Sequence, residues 1–243
     1  MPNETIELLY RHRSIRKYKP LPIKQEQLSQ ILSAAQSVSS SNFLQSSTII
    51  RITDTNKREK LAHYSGDQSY IIQAPEFWVF CADFNRFYQI EPNLQLEKAE
   101  QLLLGCIDTT IMAQNAVIAA ESLGLGCVYI GGLRNSIDKV TELLALPKYV
   151  LPLFGLCFGY PDLSEQPEIK PRLPKELVFF ENQYQPINHN LLKQYDEQMN
   201  SYYQHRTNNK KVGGWSDKIA EIINRENRDF MLAYLHKQGW ITR

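Results

Sequence analysis

EKAEQLLLGCIDTTIMAQNAVIAAESLGLGCVYIGGL, residues 97–133, decides how the chain is organised. From Glu97 to Leu123 the apolar residues fall on more than one side of a helix, as they do when a helix is buried in a core. Gly124 and Gly126 offer positions where it can stop, and Cys127 to Ile130 reads as a short strand running into Gly131-Gly132. Asp108, Gln114, Asn115 and Glu121 interrupt the apolar run, which leaves it short of the roughly 18 uncharged residues of a membrane span. The expectation is a core helix, the spine of the domain, with no membrane involved.

Toward the N-terminus, Phe77 to Ala82 is continuous enough in apolar residues to be a fully buried strand, and Ile49 to Thr53 alternates around Arg51 as a second strand. A helix is expected to open with Ile6, Leu8, Leu9 and Tyr10 and run toward the basic segment, and others at Gln25 to Val38 with Leu28, Ile31, Leu32 and Ala35 on one face, and at Asn56 to Tyr64. Toward the C-terminus, Ser136 to Leu146 reads as a helix and Val150 to Tyr160 as an apolar strand interrupted by Pro152. Pro161, Pro167, Pro171 and Pro174 then mark an irregular crossing. Helices resume at Leu191 to Tyr203, after Ser216 as an N-cap (Ile219, Ile222, Ile223), and at Phe230 to Leu235. Strands and helices mix without strict alternation, so the fold class is α+β with a helical C-terminal extension. The 243 residues are read as a single domain, 1–243, with residues from about 161 onward forming an excursion and the extension.

Lysine and arginine number 27 against 26 acidic residues, which removes the uniform positive field of a nucleic-acid binder. The basic residues must act locally. Cys81, Cys106, Cys127 and Cys157 each sit in an apolar run with no paired cysteine or nearby histidine, so they read as buried free thiols in a reducing compartment, and no metal is expected. Met1-Pro2-Asn3-Glu4-Thr5 lacks the charged start and apolar centre of a secretory signal, which points to the cytoplasm.

The chemistry concentrates in four places. His12-Arg13-Ser14-Ile15-Arg16-Lys17 carries donors suited to a phosphate dianion, and Lys170-Pro171-Arg172 adds two more far downstream. Ser37-Val38-Ser39-Ser40-Ser41-Asn42 is a hydroxyl-rich turn, and Tyr129-Ile130-Gly131-Gly132-Leu133 can present bare backbone N–H groups. Each has a plainer reading: a solvated basic face or anionic-surface contact for Arg11 to Lys19, a helix terminus for the serines, an ordinary turn for the glycines. Together they suit a phosphorylated, flat, polar-edged cofactor, and FMN is the simplest match. Arg13 or Arg16 would favour negative charge on such a ring, and Gln68 and Ser40 could bond its edge or its ribityl hydroxyls. The loop with Arg206, Lys210 and Lys211 is either a solvated connection or a clamp for the extra phosphate of NADPH. No G-x-G-x-x-G follows a strand and no G-x-S-x-G elbow is present, which argues against a Rossmann domain and a serine hydrolase.

The chain resembles the group A oxygen-insensitive NADPH nitroreductases and the similar NADPH-preferring FMN reductases. The resemblance runs through His12-Arg13-Ser14-Ile15-Arg16, Ser39-Ser40-Ser41 to Phe43-Leu44-Gln45, Glu76 to Phe84, Tyr129 to Asn135, Lys170 to Pro174, Tyr195 to Gln198 and Leu235 to Trp240. It implies a homodimer built on a mixed sheet flanked by helices, with FMN in two clefts at the subunit interface. By that likeness His12, Arg16, Lys170 and Arg172 hold the phosphate. Arg13, Ser14, Ser40, Gln68, Tyr129, Ile130, Gly131 and Gly132 contact the ribityl chain and ring. Arg206 recognises NADPH, and Phe43, Arg134 and Arg228 line the substrate cleft. Asn42 stands where such proteins tend to carry a small hydroxyl residue. The implied reaction passes hydride from NADPH to flavin N5 and then two electrons to a nitroaromatic, quinone or related small-molecule acceptor, in ping-pong order. No protein acid, base or nucleophile is nominated. A reductase delivering free reduced flavin, and a flavin-binding module without activity, are the alternatives.

Overall fold

The computed structural model describes residues 3–162, 164, 167–206, 212–225 and 228–243. Two compact units are present, one formed by residues 1–167 with 228–243 and the other by residues 168–227.

The first unit is organised on a four-stranded sheet, β1 (Ser47–Arg51), β2 (Glu76–Asp83), β3 (Gly126–Ile130) and β4 (Val150–Gly159), in the order β1-β2-β4-β3. All its pairings are antiparallel among the described residues, which corrects the expectation of a mixed sheet. The reason lies in the connections. Arg51 at the end of β1 pairs with Trp78 near the start of β2, so that connection returns directly; the connection from β2 to β3 does cross over, but β4 lies between these two strands and runs antiparallel to both. The continuous apolar character of β2 nonetheless has its usual cause, burial of both faces.

Alternation along β2 divides the core in two. Trp78 and Phe80 join Leu156, Phe158 and Cys127 against α2 (Gln25–Gln36) and α6 (Ala99–Ser122). Phe77, Val79 and Cys81 face the other way, with Leu61 and Ala62 of α3 (Thr55–Tyr64), Ile71 of α4 (Tyr70–Gln73) and Val140 of α7 (Ile137–Leu143). Pro152 does not break β4. The register slips between Phe80 and Cys81, which pair with Phe154 and Pro152, so Leu153 is the extra residue of a bulge that absorbs the proline.

α6 packs on the sheet through Ala113, Ala116, Val117 and Ala120, and it ends in a Schellman motif. Gly124 takes φ +77°, Leu125 N–H donates to Ala120 O and Gly124 N–H to Glu121 O, each at 3.0 Å, as the motif requires. By length and composition α6 also has the makings of a membrane span. Its outer face carries an exposed apolar stripe of Leu103, Ile107 and Ile111, one turn apart. Cys106 on the same helix is partly exposed, unlike the buried thiols of Cys81, Cys127 and Cys157. The remaining helices of this unit are α1 (Glu4–Tyr10), α5 (Asn85–Ile90) and α10 (Met231–Lys237). The last leads to Trp240, fully buried with its ring edge-on to Phe84 at 5.6 Å.

The second unit is α8 (His189–His205) and α9 (Trp215–Asn224) around Tyr195, Met199 and Tyr203. Ser216 is not the cap of α9. The cap is Gly214, two residues earlier, with Gly214 N–H donating to Asp217 Oδ2 at 2.8 Å, while Ser216 N–H goes to Asp196 Oδ1 at 2.8 Å and ties α9 to α8. Of the loop that carries Arg206, Lys210 and Lys211, residues 207–211 lie outside the described residues.

Trp240→Ala should lower the stability of the protein by about 3–5 kcal/mol, the cost of emptying a buried aromatic site, read as a shift of the urea midpoint. Trp240→Phe should shift it far less, because the indole Nε1 has no hydrogen-bond partner to lose among the described residues.

Candidate functional site

The basic segment is held by its one apolar residue. Ile15 is buried, its N–H donates to Cys127 O of β3 at 2.9 Å, and the Tyr18 hydroxyl donates to Ile15 O at 2.6 Å and Cys157 O at 3.2 Å. Arg13 and Ser14 are left half-buried and Arg16 exposed beside the edge strand β3. His12 Nδ1 lies 2.7 Å from Glu121 Oε1, a carboxylate almost withdrawn from solvent near the C-terminus of α6. An imidazole so paired is fixed in orientation.

β3 delivers the chain to Gly131 and Gly132, which open a 3₁₀ turn over Gly131–Ser136. A Cβ on Gly132 would lie 2.4 Å from Ser65 O and 2.5 Å from Gln68 Nε2, so only glycine lets this backbone close on the Gln68 loop. Gln68 is itself braced: its Nε2 donates to Ser65 O at 2.7 Å and its Oε1 accepts from the Tyr70 hydroxyl at 2.5 Å. One amide hydrogen and one lone pair stay available for a ligand. Ser65 Oγ, buried alongside, has no partner among the described residues.

Two guanidinium groups flank this turn. Arg134 Nη1 donates to the carbonyl of Leu153, the residue displaced by the β4 bulge, so this arginine answers an acceptor that the sheet leaves open. Burial, then the neighbouring charge of Arg228, push its pKa down. Arg228 donates to Asn135 Oδ1 at 2.8 Å and to Gly131 O at 3.3 Å. Both cations stand at the glycine pair, where positive charge would stabilise a negative ring edge.

The serine turn is anchored elsewhere. Ser41 N–H donates to Asp108 Oδ1 at 3.1 Å, whereas His12 is tied to Glu121. Thirteen residues of α6 separate these anchors, about 20 Å along the axis. Within one chain, Ser40 and Phe43 are therefore not brought to the basic segment. Phe43 is 78% exposed.

In the second unit, Lys170 Nζ lies 5.4 Å from the Tyr203 ring centroid, and the Tyr195 hydroxyl donates to Pro171 O at 3.2 Å. The exposed Arg172 guanidinium works against the rise that burial causes in the Tyr195 pKa. Arg206 follows α8 and lies 5.7 Å from the Tyr202 ring. Lys210 and Lys211 lie outside the described residues.

Glu121, Asp108 and Asn135 were not singled out from the sequence as site residues. The signal for the two carboxylates was present, since an acidic side chain inside an apolar helix must find donors, but their partners are far away in sequence.

A glycine turn flanked by two guanidinium groups at the end of an antiparallel strand, in an α+β fold, marks the candidate site. Residues 9–160 match the model of the nitroreductase family and residues 170–243 that of the nitroreductase family C-terminal domain. The chain is 59% identical, over 98% of its length and 99% of the relative's, to a Salmonella typhimurium protein named oxygen-insensitive NADPH nitroreductase. It is 47% identical to the NADPH-flavin oxidoreductase of Vibrio harveyi over 99% and 100% of the two chains. The solved nitroreductase A of Vibrio parahaemolyticus superposes with a TM-score of 0.93 at 45% identity, each chain covered in full. This chain belongs to the nitroreductase family.

Gly132→Ala should cost about 1–3 kcal/mol through overpacking, because the backbone oxygen of Ser65 cannot yield. Gly131→Ala, whose Cβ would meet nothing closer than Arg134 at 3.6 Å, should be close to neutral in the same thermal-unfolding measurement.

Proposed function

We infer that this protein is an NADPH-dependent flavin oxidoreductase that holds FMN and reduces nitroaromatics, quinones or related small acceptors. The observation that carries the reading is the full-length likeness to the Salmonella typhimurium relative. The residues fit the cofactor: the Gly132 cradle would be filled by any Cβ, and the donor set offers cations for a phosphate and amide and backbone groups for a ring edge. His12, Arg16, Lys170 and Arg172 hold the phosphate. Arg13, Ser14, Ser40, Gln68 and the Tyr129, Ile130, Gly131 and Gly132 backbone hold the ribityl chain and ring. When bound, FMN would supply the redox chemistry, as a two-electron carrier between NADPH and the acceptor.

The chain's own residues bind, orient and set the field. Glu121 fixes the His12 ring. Arg134 and Arg228 place positive charge at Gly131, which favours an electron-rich ring. Arg206 recognises the 2′-phosphate of NADPH, while Phe43, Arg134 and Arg228 line the acceptor side.

The protein acts as a homodimer in the cytoplasm, with 1–243 working as one nitroreductase-like domain. The apolar stripe of Leu103, Ile107 and Ile111 supports a second copy on α6, and the spacing of the Asp108 and Glu121 anchors supports a site shared between copies, Ser40 and Phe43 reaching the flavin held by the other chain. Free thiols at Cys81, Cys127 and Cys157 fit a reducing compartment.

Purified protein should be yellow, and NADPH added without air should bleach it; colour that persists would leave a flavin-binding module without activity. Competition between free FMN and a nitroarene as acceptors in a kinetic assay separates the nitroreductase from a reductase whose product is free reduced flavin. Arg206→Ala should raise KM for NADPH about tenfold, the worth of a charge-assisted contact, with KM for NADH little changed. Equal increases would remove that role.

A further inference from the structure

The turn that carries Ser40 and Phe43 has an unusual backbone. Asn42, Phe43 and Gln45 have φ of +48°, +59° and +54°, the left-handed region that L side chains seldom enter. Asparagine tolerates it best, phenylalanine and glutamine poorly. Three such residues within four positions persist only where the surroundings over-determine them.

The surroundings do so from both sides. Asp108 is 3% exposed, and both of its oxygens are spent on the turn: Oδ1 accepts from Ser41 N–H at 3.1 Å and Oδ2 from Ser46 Oγ at 2.9 Å. Ser40 Oγ closes the loop by accepting from Gln45 N–H at 3.0 Å. On the far side Arg86 donates to Gln45 O at 3.1 Å and Thr48 Oγ1 at 3.0 Å, and Arg86 is itself held by Asp83 at 3.3 Å. The rigid member is Asp108, because α6 is seated on the sheet. The product of this bracing is an aromatic ring presented to solvent, with no packing role in the unit that holds it so firmly.

We propose that Asp108 is a positioning residue that locks the 40–46 turn in its left-handed form and thereby fixes Phe43, setting which acceptors the enzyme prefers. This rests on the reading of Phe43 as an acceptor-side residue. Both Asp108 oxygens are taken by the turn, so it acts through Ser41 and Ser46.

The test uses the FMN-loaded enzyme with Asp108→Ala, Asp108→Asn and Ser46→Ala. Amide exchange at residues 41–46 should speed up about tenfold or more in Asp108→Ala, as expected for loss of hydrogen bonds to a carboxylate, while β2 and β4 keep their protection. The ratio of kcat/KM for a nitrobenzoate to that for a naphthoquinone should shift by about fivefold or more. Asp108→Asn keeps an acceptor for Ser41 N–H and should recover most of both effects. Ser46→Ala removes one bond and should move both readouts the same way by less, which decides the matter if Asp108→Ala does not fold. Unchanged exchange would overturn the clamp, and faster exchange with an unchanged acceptor ratio would overturn its role in selectivity. Wild-type enzyme that NADPH fails to bleach would instead sink the proposed function, leaving the exchange measurements to judge the clamp alone.

Discussion

α6 lies on the sheet through Ala113, Ala116, Val117 and Ala120, and the seating of that small-residue face fixes everything that hangs from the helix. Small side chains let the axis come close to the strands, so little slack remains in where Asp108 and Glu121 stand. One carboxylate takes the serine turn and the other takes His12. Both are removed from water, and a carboxylate in that position is tolerated because its donors come to it. The helix thus works as a ruler with two pegs.

A second theme is repair of the sheet by side chains. Pro152 cannot donate to a ladder, the register slips at Phe80 and Cys81, and Arg134 reaches the carbonyl of the displaced Leu153. The same bond parks the Arg134 charge beside Gly131. Buried Arg58 plays a comparable part, its guanidinium donating to the carbonyls of Ile52 and Pro75 at 2.8 and 3.2 Å.

The long elements were legible because each carries a period that repeats. β2, β4, α3, α6 and α8 fall within two or so residues of their expected limits. β1 begins two residues earlier than its apolar alternation suggested, since Ser47 and Thr48 pair with Ala82 and Cys81 and Ser47 Oγ lies 3.0 Å from Thr109 Oγ1. α4 and α5, at four and six residues, are too short to show a period. The cap of α9 was misplaced because Ser216 looks like a cap in sequence, whereas Asp196 of α8 claims its N–H.

By itself the sequence determined the α+β class, the spine helix, and the types of group available to a phosphorylated flat ligand, because composition and periodicity are local properties that survive without knowledge of partners. Tertiary structure alone decided the antiparallel order of the strands, the bulge that captures Arg134, and the distribution of the site along α6. Those depend on which distant residues meet, as Ser41 meets Asp108 and His12 meets Glu121, and no spacing along the chain encodes such a meeting.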